Sequence, residues 1–221
     1  MGSSQFAVSG PATGPRWQAA LLEQPGRSDH IALVYRKDAF LVESVARFID
    51  SGLRAGDGIV VLCTLPRWEG IRQRLAYGGA SVETAVRRGQ LMRTGVHNVL
   101  LSWMSDDCTQ AAFNLAVGFL VDIQLAQYPA VRIFSELADV LLQKKDSRLI
   151  ATNVQRAWNS YLRGKPASVL SPWREASLDA EGYGARLEHL YLTHKHILTD
   201  HSGEDSLDFT QKPGSGDALA R

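Results

Sequence analysis

Apolar residues in this chain follow two rhythms. Short continuous runs recur at Ile31–Tyr35, Ile59–Cys63 and Val131–Phe134, the last followed by Ser135 and Glu136. Other stretches repeat at three- and four-residue steps, as in Leu41, Val45, Phe48, Ile49 and Leu53, or Ile150, Val154, Trp158, Tyr161 and Leu162. The runs predict strands covered on both faces, and the stepped stretches predict amphipathic helices.

Turn residues set the boundaries. Asp38 is expected to cap the first long helix, and Ala55-Gly56-Asp57-Gly58 to close it. Pro66 opens a helix that runs to Gly78-Gly79, and Ser81 starts a short one ending at Gly89. Strands are expected at 91–94 and 167–171, the second closed by Pro172, with residues 95–108 left unassigned. The segment 109–127 predicts a helix that is apolar nearly all round, buried on more than one side or docked on a partner. A short helix is expected from Ala138 to Gln143, before the charged break at 144–147. A final helix is expected from Tyr183 to Leu198. Strands separated by helices give βαβ units, hence an α/β three-layer sandwich with a mainly parallel sheet. Residues 1–27 form a weakly ordered lead-in with a helical turn or two near Trp17–Leu22. Residues 28–198 form one domain, and 199–221 a disordered tail.

Composition narrows the classes. The 221 residues are 45% apolar and 21% charged, as in ordinary globular proteins. A net charge of +1 offers no field for nucleic acid or membrane surfaces. The two cysteines, Cys63 and Cys108, match no metal spacing, which points to a reduced, cytoplasmic protein. There is no apolar run of about 18 residues and no secretory pattern at the start, so neither a membrane span nor a signal is expected.

Familiar catalytic motifs are missing. The turn after the first strand, Tyr35-Arg36-Lys37-Asp38, has no glycine to wrap a phosphate, and Gly164-Lys165 is followed by Pro166, which lacks an N–H. No Gly-x-Ser-x-Gly or His-Glu-x-x-His occurs. On the expected last helix His194 shares a stripe with Leu190 and Leu198, while His189 and His196 lie elsewhere, so no metal site is expected. The remaining candidates lie at the carboxyl ends of strands, where α/β proteins gather ligands. They are Tyr35, Arg36, Cys63, Thr64, Glu136, Trp173 and Arg174, a mixture suited to a small pocket with a few polar anchors. Against this, Glu136 could pair with Arg36 or Arg174 or cap the next helix, and Cys63 could be a core residue.

Several segments resemble one family. They are HIALVYR from His30, SGLRAGDGIVVLCT, SVETAVRRGQLM, RIFSEL ending its strand in Ser135-Glu136, and Tyr191-Leu192-Thr193-His194. Over residues 28–198 the chain resembles the MEDS domain, the methanogen/methylotroph and DcmR sensory domain. The resemblance implies a RecA/KaiC-like sandwich without a P-loop. It also implies a non-enzymatic sensory role, usually beside a DNA-binding or histidine-kinase module, with a small organic ligand. His30, Glu136 and His194 match recurring family residues. Ser135 stands where the family often has glycine, and a hydroxyl there would narrow a pocket.

The expectation is therefore a stand-alone sensory domain. It would bind a small organic ligand without cofactor or metal and signal to a separate histidine kinase or transcription regulator. The tails look too short and polar for a helix-turn-helix, and segment 109–127 is the candidate surface for a homodimer or docking, with core burial the more common role of such a helix. The alternatives are a degenerate RecA-like nucleotide binder or ATPase, and an interaction module without a ligand.

Overall fold

Successive side chains of a strand point to opposite faces, so a strand apolar at every position needs cover on both sides. The computed structural model, which describes residues 16–105, 108–143, 148–179 and 190–200, supplies that cover. Strands β1 (His30–Tyr35), β2 (Gly58–Cys63), β3 (Leu91–Gly95), β4 (Val131–Ser135), β5 (Ala167–Arg174) and β6 (His196–Thr199) form one parallel sheet. Their order is β3-β2-β4-β5-β1-β6.

One face packs on α1 (Arg16–Glu23), α2 (Asp38–Ala55), α3 (Leu65–Tyr77) and α4 (Val82–Arg87), burying Ile31, Leu33, Tyr35, Val61, Cys63 and Phe134. The other carries α5 (Val96–Met104), α6 (Gln110–Phe113), α7 (Phe119–Leu125), α8 (Leu137–Leu142) and α9 (Arg148–Leu162), over Ala32, Val34, Val60, Ile133, Val169 and Trp173. Helix α10 (Glu175–Asp179) follows β5. The fold is the expected RecA-like α/β sandwich with a parallel sheet.

The segment Gly52-Leu53-Arg54-Ala55-Gly56-Asp57 gains a physical reading. Gly56, at φ 80°, ends α2 in the left-handed region and returns its N–H to Leu53. Asp57 pairs with Arg132 Nε at 2.7 Å, and the buried Arg132 guanidinium also donates to Leu22 O, Phe48 O and Ser51 Oγ. A methyl on Gly52 would lie 2.6 Å from Arg132 Cδ and 2.9 Å from Ile59 Cδ1. Gln90 donates to Leu53 O and Asp57 O, tying the turn before β3 to the same corner. Gly52→Ala should therefore cost about 1–3 kcal/mol, the range for overpacking. Urea denaturation checks this, and an unchanged midpoint would mean that Arg132 shifts freely.

Several expectations need correction. Lys37, not Asp38, is the cap residue of α2, and Asp38 begins the helix. Ser81 makes no capping bond; its hydroxyl meets Thr84 Oγ1. Strand β5 runs through Pro172 to Arg174, because pairing with β4 stops at Phe134–Leu170 and Pro172 has only β1 beside it. The final helix does not reach Leu198. Residues 190–193 are helical, His194 and Lys195 form a bend, and β6 takes His196–Thr199 onto the outside of β1. Ile197 and Leu198 serve a strand as well as a helix, so their apolarity did not separate the two. Residues 95–108 contain α5. The segment from α6 to α7 includes a π-helical turn at Asn114–Gly118. Phe113, Val117 and Val121 are buried, whereas Leu115 and Phe119 are 76% and 60% exposed, so this segment buries one face. Residues 1–15, 106–107, 144–147, 180–189 and 201–221, with the disorder and helix expectations placed on them, lie outside the described residues.

Candidate functional site

A parallel sheet brings all its carboxyl ends to one edge, and here that edge is closed by charged hydrogen bonds. Strand β4 ends at Ser135, and Glu136 turns the chain into α8 without capping it through its side chain. Glu136 is 2% exposed. Its Oε2 accepts from Thr64 N–H at 2.7 Å and Thr64 Oγ1 at 3.1 Å, and its Oε1 from Arg67 Nε at 2.8 Å. Its cation is thus Arg67, not Arg36 or Arg174. Arg36 turns outward to Glu175, with Nη2 to Oε1 at 2.8 Å.

The network continues through Tyr35. Arg67 Nη2 donates to the Tyr35 hydroxyl at 3.3 Å, which donates to Asp139 Oδ2 at 2.9 Å. Asp139 Oδ1 accepts from Arg174 N–H at 3.0 Å. Arg67 and Arg174 also both donate to Asp38 Oδ1, and their guanidinium carbons lie 5.6 and 5.0 Å from the Tyr35 ring centre. Burial raises the carboxyl pKa of both Glu136 and Asp139, against the donors that favour their charged forms. Burial, then Glu136, pushes the Cys63 thiol up to about 12, so it is no thiolate nucleophile at neutral pH.

A second polar group lies behind the sheet, under α9. His30, Ser171 and Trp173 point to this face because their strand positions alternate with those facing α2. Asn159 Nδ2 donates to Thr193 O at 2.7 Å, so its Oδ1 is the acceptor for His30 Nδ1–H at 2.8 Å. His30 Nε2 then accepts from Ser171 Oγ at 3.1 Å. Burial lowers the His30 pKa to about 4, outweighing the Asn159 bond, so the ring is neutral at pH 7. Serine, histidine and asparagine here follow the order of nucleophile, base and orienter. Ser171 is 1% exposed, closed to solvent in this conformation, as is His30.

His194 packs on this group, its ring centre 4.1 Å from His30 and 5.6 Å from Trp173. Its Nδ1–H donates to Leu190 O at 3.2 Å. Gln155 lies fully buried against His30, close enough to act on its proton affinity but without a hydrogen bond of ordinary geometry. Both amide atoms of Gln155 and the Trp173 indole N–H have no protein partner among the described residues. Buried polar atoms left so cost about 1–3 kcal/mol each.

The nine residues singled out from sequence thus fall into separate places. Tyr35, Thr64, Glu136 and Arg174 share the edge network, with Cys63 packed beneath it and Arg36 outside it. His30, Trp173 and His194 meet behind the sheet. Sequence reasoning missed Arg67, Asp139, Asn159, Gln155 and Ser171. Asp139 had a signal, a lone carboxylate among the apolar residues of α8, and so did Gln155 and Asn159, polar at a four-residue step on α9. No group of three or more potential metal ligands occurs among the described residues. No helix there is long and apolar enough to cross a membrane.

Comparison with known proteins agrees with this architecture. No curated protein matches the chain. Among solved structures it is similar to the flagellar accessory protein FlaH from Methanocaldococcus jannaschii, at TM-score 0.52 and 8% identity, over 79% of this chain and 71% of that one. The likeness is one of fold. A family model, the MEthanogen/methylotroph, DcmR Sensory domain, matches residues 29–195, from the residue before His30 to the one after His194. With that match spanning both polar groups of the sandwich, the chain belongs to the MEDS family of sensory domains.

Proposed function

We propose that this MEDS domain is a non-enzymatic sensor that holds a small organic ligand behind the sheet, among His30, Trp173 and His194. It relays occupancy to a separate signalling partner, such as a histidine kinase or transcription regulator. The observation that carries this reading is the contact of two buried histidines from opposite ends of the domain, His30 on β1 and His194 on the segment that leads into β6. A ligand touching His194 acts on the segment that leads directly into the edge strand β6, so binding and movement are coupled there. In this reading Tyr35, Thr64, Glu136 and Arg174 keep the carboxyl edge rigid, Cys63 packs beneath it, and Arg36 fixes α10 through Glu175.

A thermal-shift screen of small organic compounds on the full chain tests the proposal. A ligand at about a hundred times its Kd stabilises the folded state by roughly 2.7 kcal/mol. His194→Ala should lose most of that shift, while Arg36→Ala should keep it. A hit whose shift survives His194→Ala but is lost in Glu136→Gln would move the site to the carboxyl edge.

A further inference from the structure

The orphaned polar atoms behind the sheet say what kind of molecule fits there. We infer that the site formed by Gln155 and Trp173 beside the histidine pair takes a small neutral molecule carrying a donor and an acceptor side by side, as in a primary amide or urea. The inference rests on the sensor reading above and names its ligand class.

Gln155 presents Nε2–H as donor and Oε1 as acceptor, both buried against His30 and neither held by a hydrogen bond of ordinary geometry. The complement of a carboxamide edge is an acceptor next to a donor, which a second amide supplies in a paired, two-bond contact. The Trp173 indole N–H is a further buried donor without a partner among the described residues, on a ring 5.6 Å from that of His194. Neutrality follows from the surroundings. The described hydrogen bonds of His30, Asn159 and Ser171 all go to uncharged groups. The His30 ring is itself held neutral by burial. An ion here would lose its hydration without gaining a counter-charge from any of these groups. The neighbouring rings of His30, His194 and Trp173 provide flat apolar surface for the small remainder of the molecule.

The probes are acetamide and urea at millimolar concentration, with ethanol and acetate as controls of similar size. Melting of the full chain and the Trp173 indole N–H resonance are followed together. Acetamide or urea should raise the melting temperature and move that resonance, while acetate should do neither. Gln155→Leu removes both hydrogen-bonding atoms without adding a charge, and Trp173→Phe removes the indole N–H. Each should fold; Trp173→Phe, one hydrogen bond short, should bind the amide probes about tenfold more weakly, and Gln155→Leu, two short, about a hundredfold. If ethanol or another compound from the screen binds and the amides do not, the ligand class is wrong and the sensor reading stands. If nothing binds and a crystal shows Gln155 bonded only to ordered water, both are overturned.

Discussion

Arg67→Met should lower the stability of the domain by about 3–5 kcal/mol, the usual loss when one partner of a buried ion pair is removed. The Arg67 and Glu136 side chains are 12% and 3% exposed, so water replaces the lost guanidinium only in part. The variant leaves Glu136 with the Thr64 donors alone, in a place where burial already opposes its charge. Glu136→Gln on the Arg67→Met background should recover part of the loss, since a neutral amide oxygen still accepts from Thr64 N–H. Urea denaturation of the two single variants and the double variant gives the coupling energy directly. A loss below about 1 kcal/mol for Arg67→Met would mean that the pair behaves as a surface contact.

Acidification should destabilise the domain through His30. Its pKa falls from 6.5 to about 4 on folding because burial disfavours the imidazolium. Above pH 6.5 the ring is neutral in both states, and this contribution to stability is complete. Between pH 6.5 and about 4 the unfolded chain takes up the proton and the folded one does not, so stability falls with pH. The full loss is roughly 3 kcal/mol, from about two and a half pKa units at 1.36 kcal/mol each. Glu136 and Asp139 work in the opposite direction, because burial raises their carboxyl pKa values. The informative quantity is therefore the difference between the wild type and His30→Gln, measured by urea denaturation at pH 7 and pH 4.5. The difference should shrink towards the acid end. Parallel pH curves would show that the folded ring accepts its proton freely.

Much of the fold was legible because apolar runs and helical spacing report burial directly. Strands β1, β2 and β4 were plain in the sequence for that reason. Strand β6 was not, since an edge strand beside a helical stretch shows neither full burial nor clear alternation. The site was harder to read. Glu136 stood out as a carboxylate after an apolar strand, yet its partner Arg67 lies on α3, and no local spacing links the two. His30 and His194 were both singled out, but a reading based on carboxyl ends of strands could not place them together. Their meeting depends on the bend at His194 and Lys195, which the expected continuous helix concealed. Gln155 and Asn159 passed as ordinary polar positions, because which face of α9 meets the sheet is settled only by packing.

Lys195 has a consequence that reaches beyond the histidines. Its ammonium bonds Asp29 at 2.6 Å, its N–H bonds the His30 carbonyl, and Asp29 also accepts from Gly26 N–H. The paired dipeptides Asp29-His30 and His194-Lys195 are therefore held by a double clasp, and drawing the 194–195 backbone away from β1 would break both halves. Because β6 follows the clasp at once, its release would bare the outer backbone of β1, and a sheet margin opened in that way is a ready template for a strand from another chain.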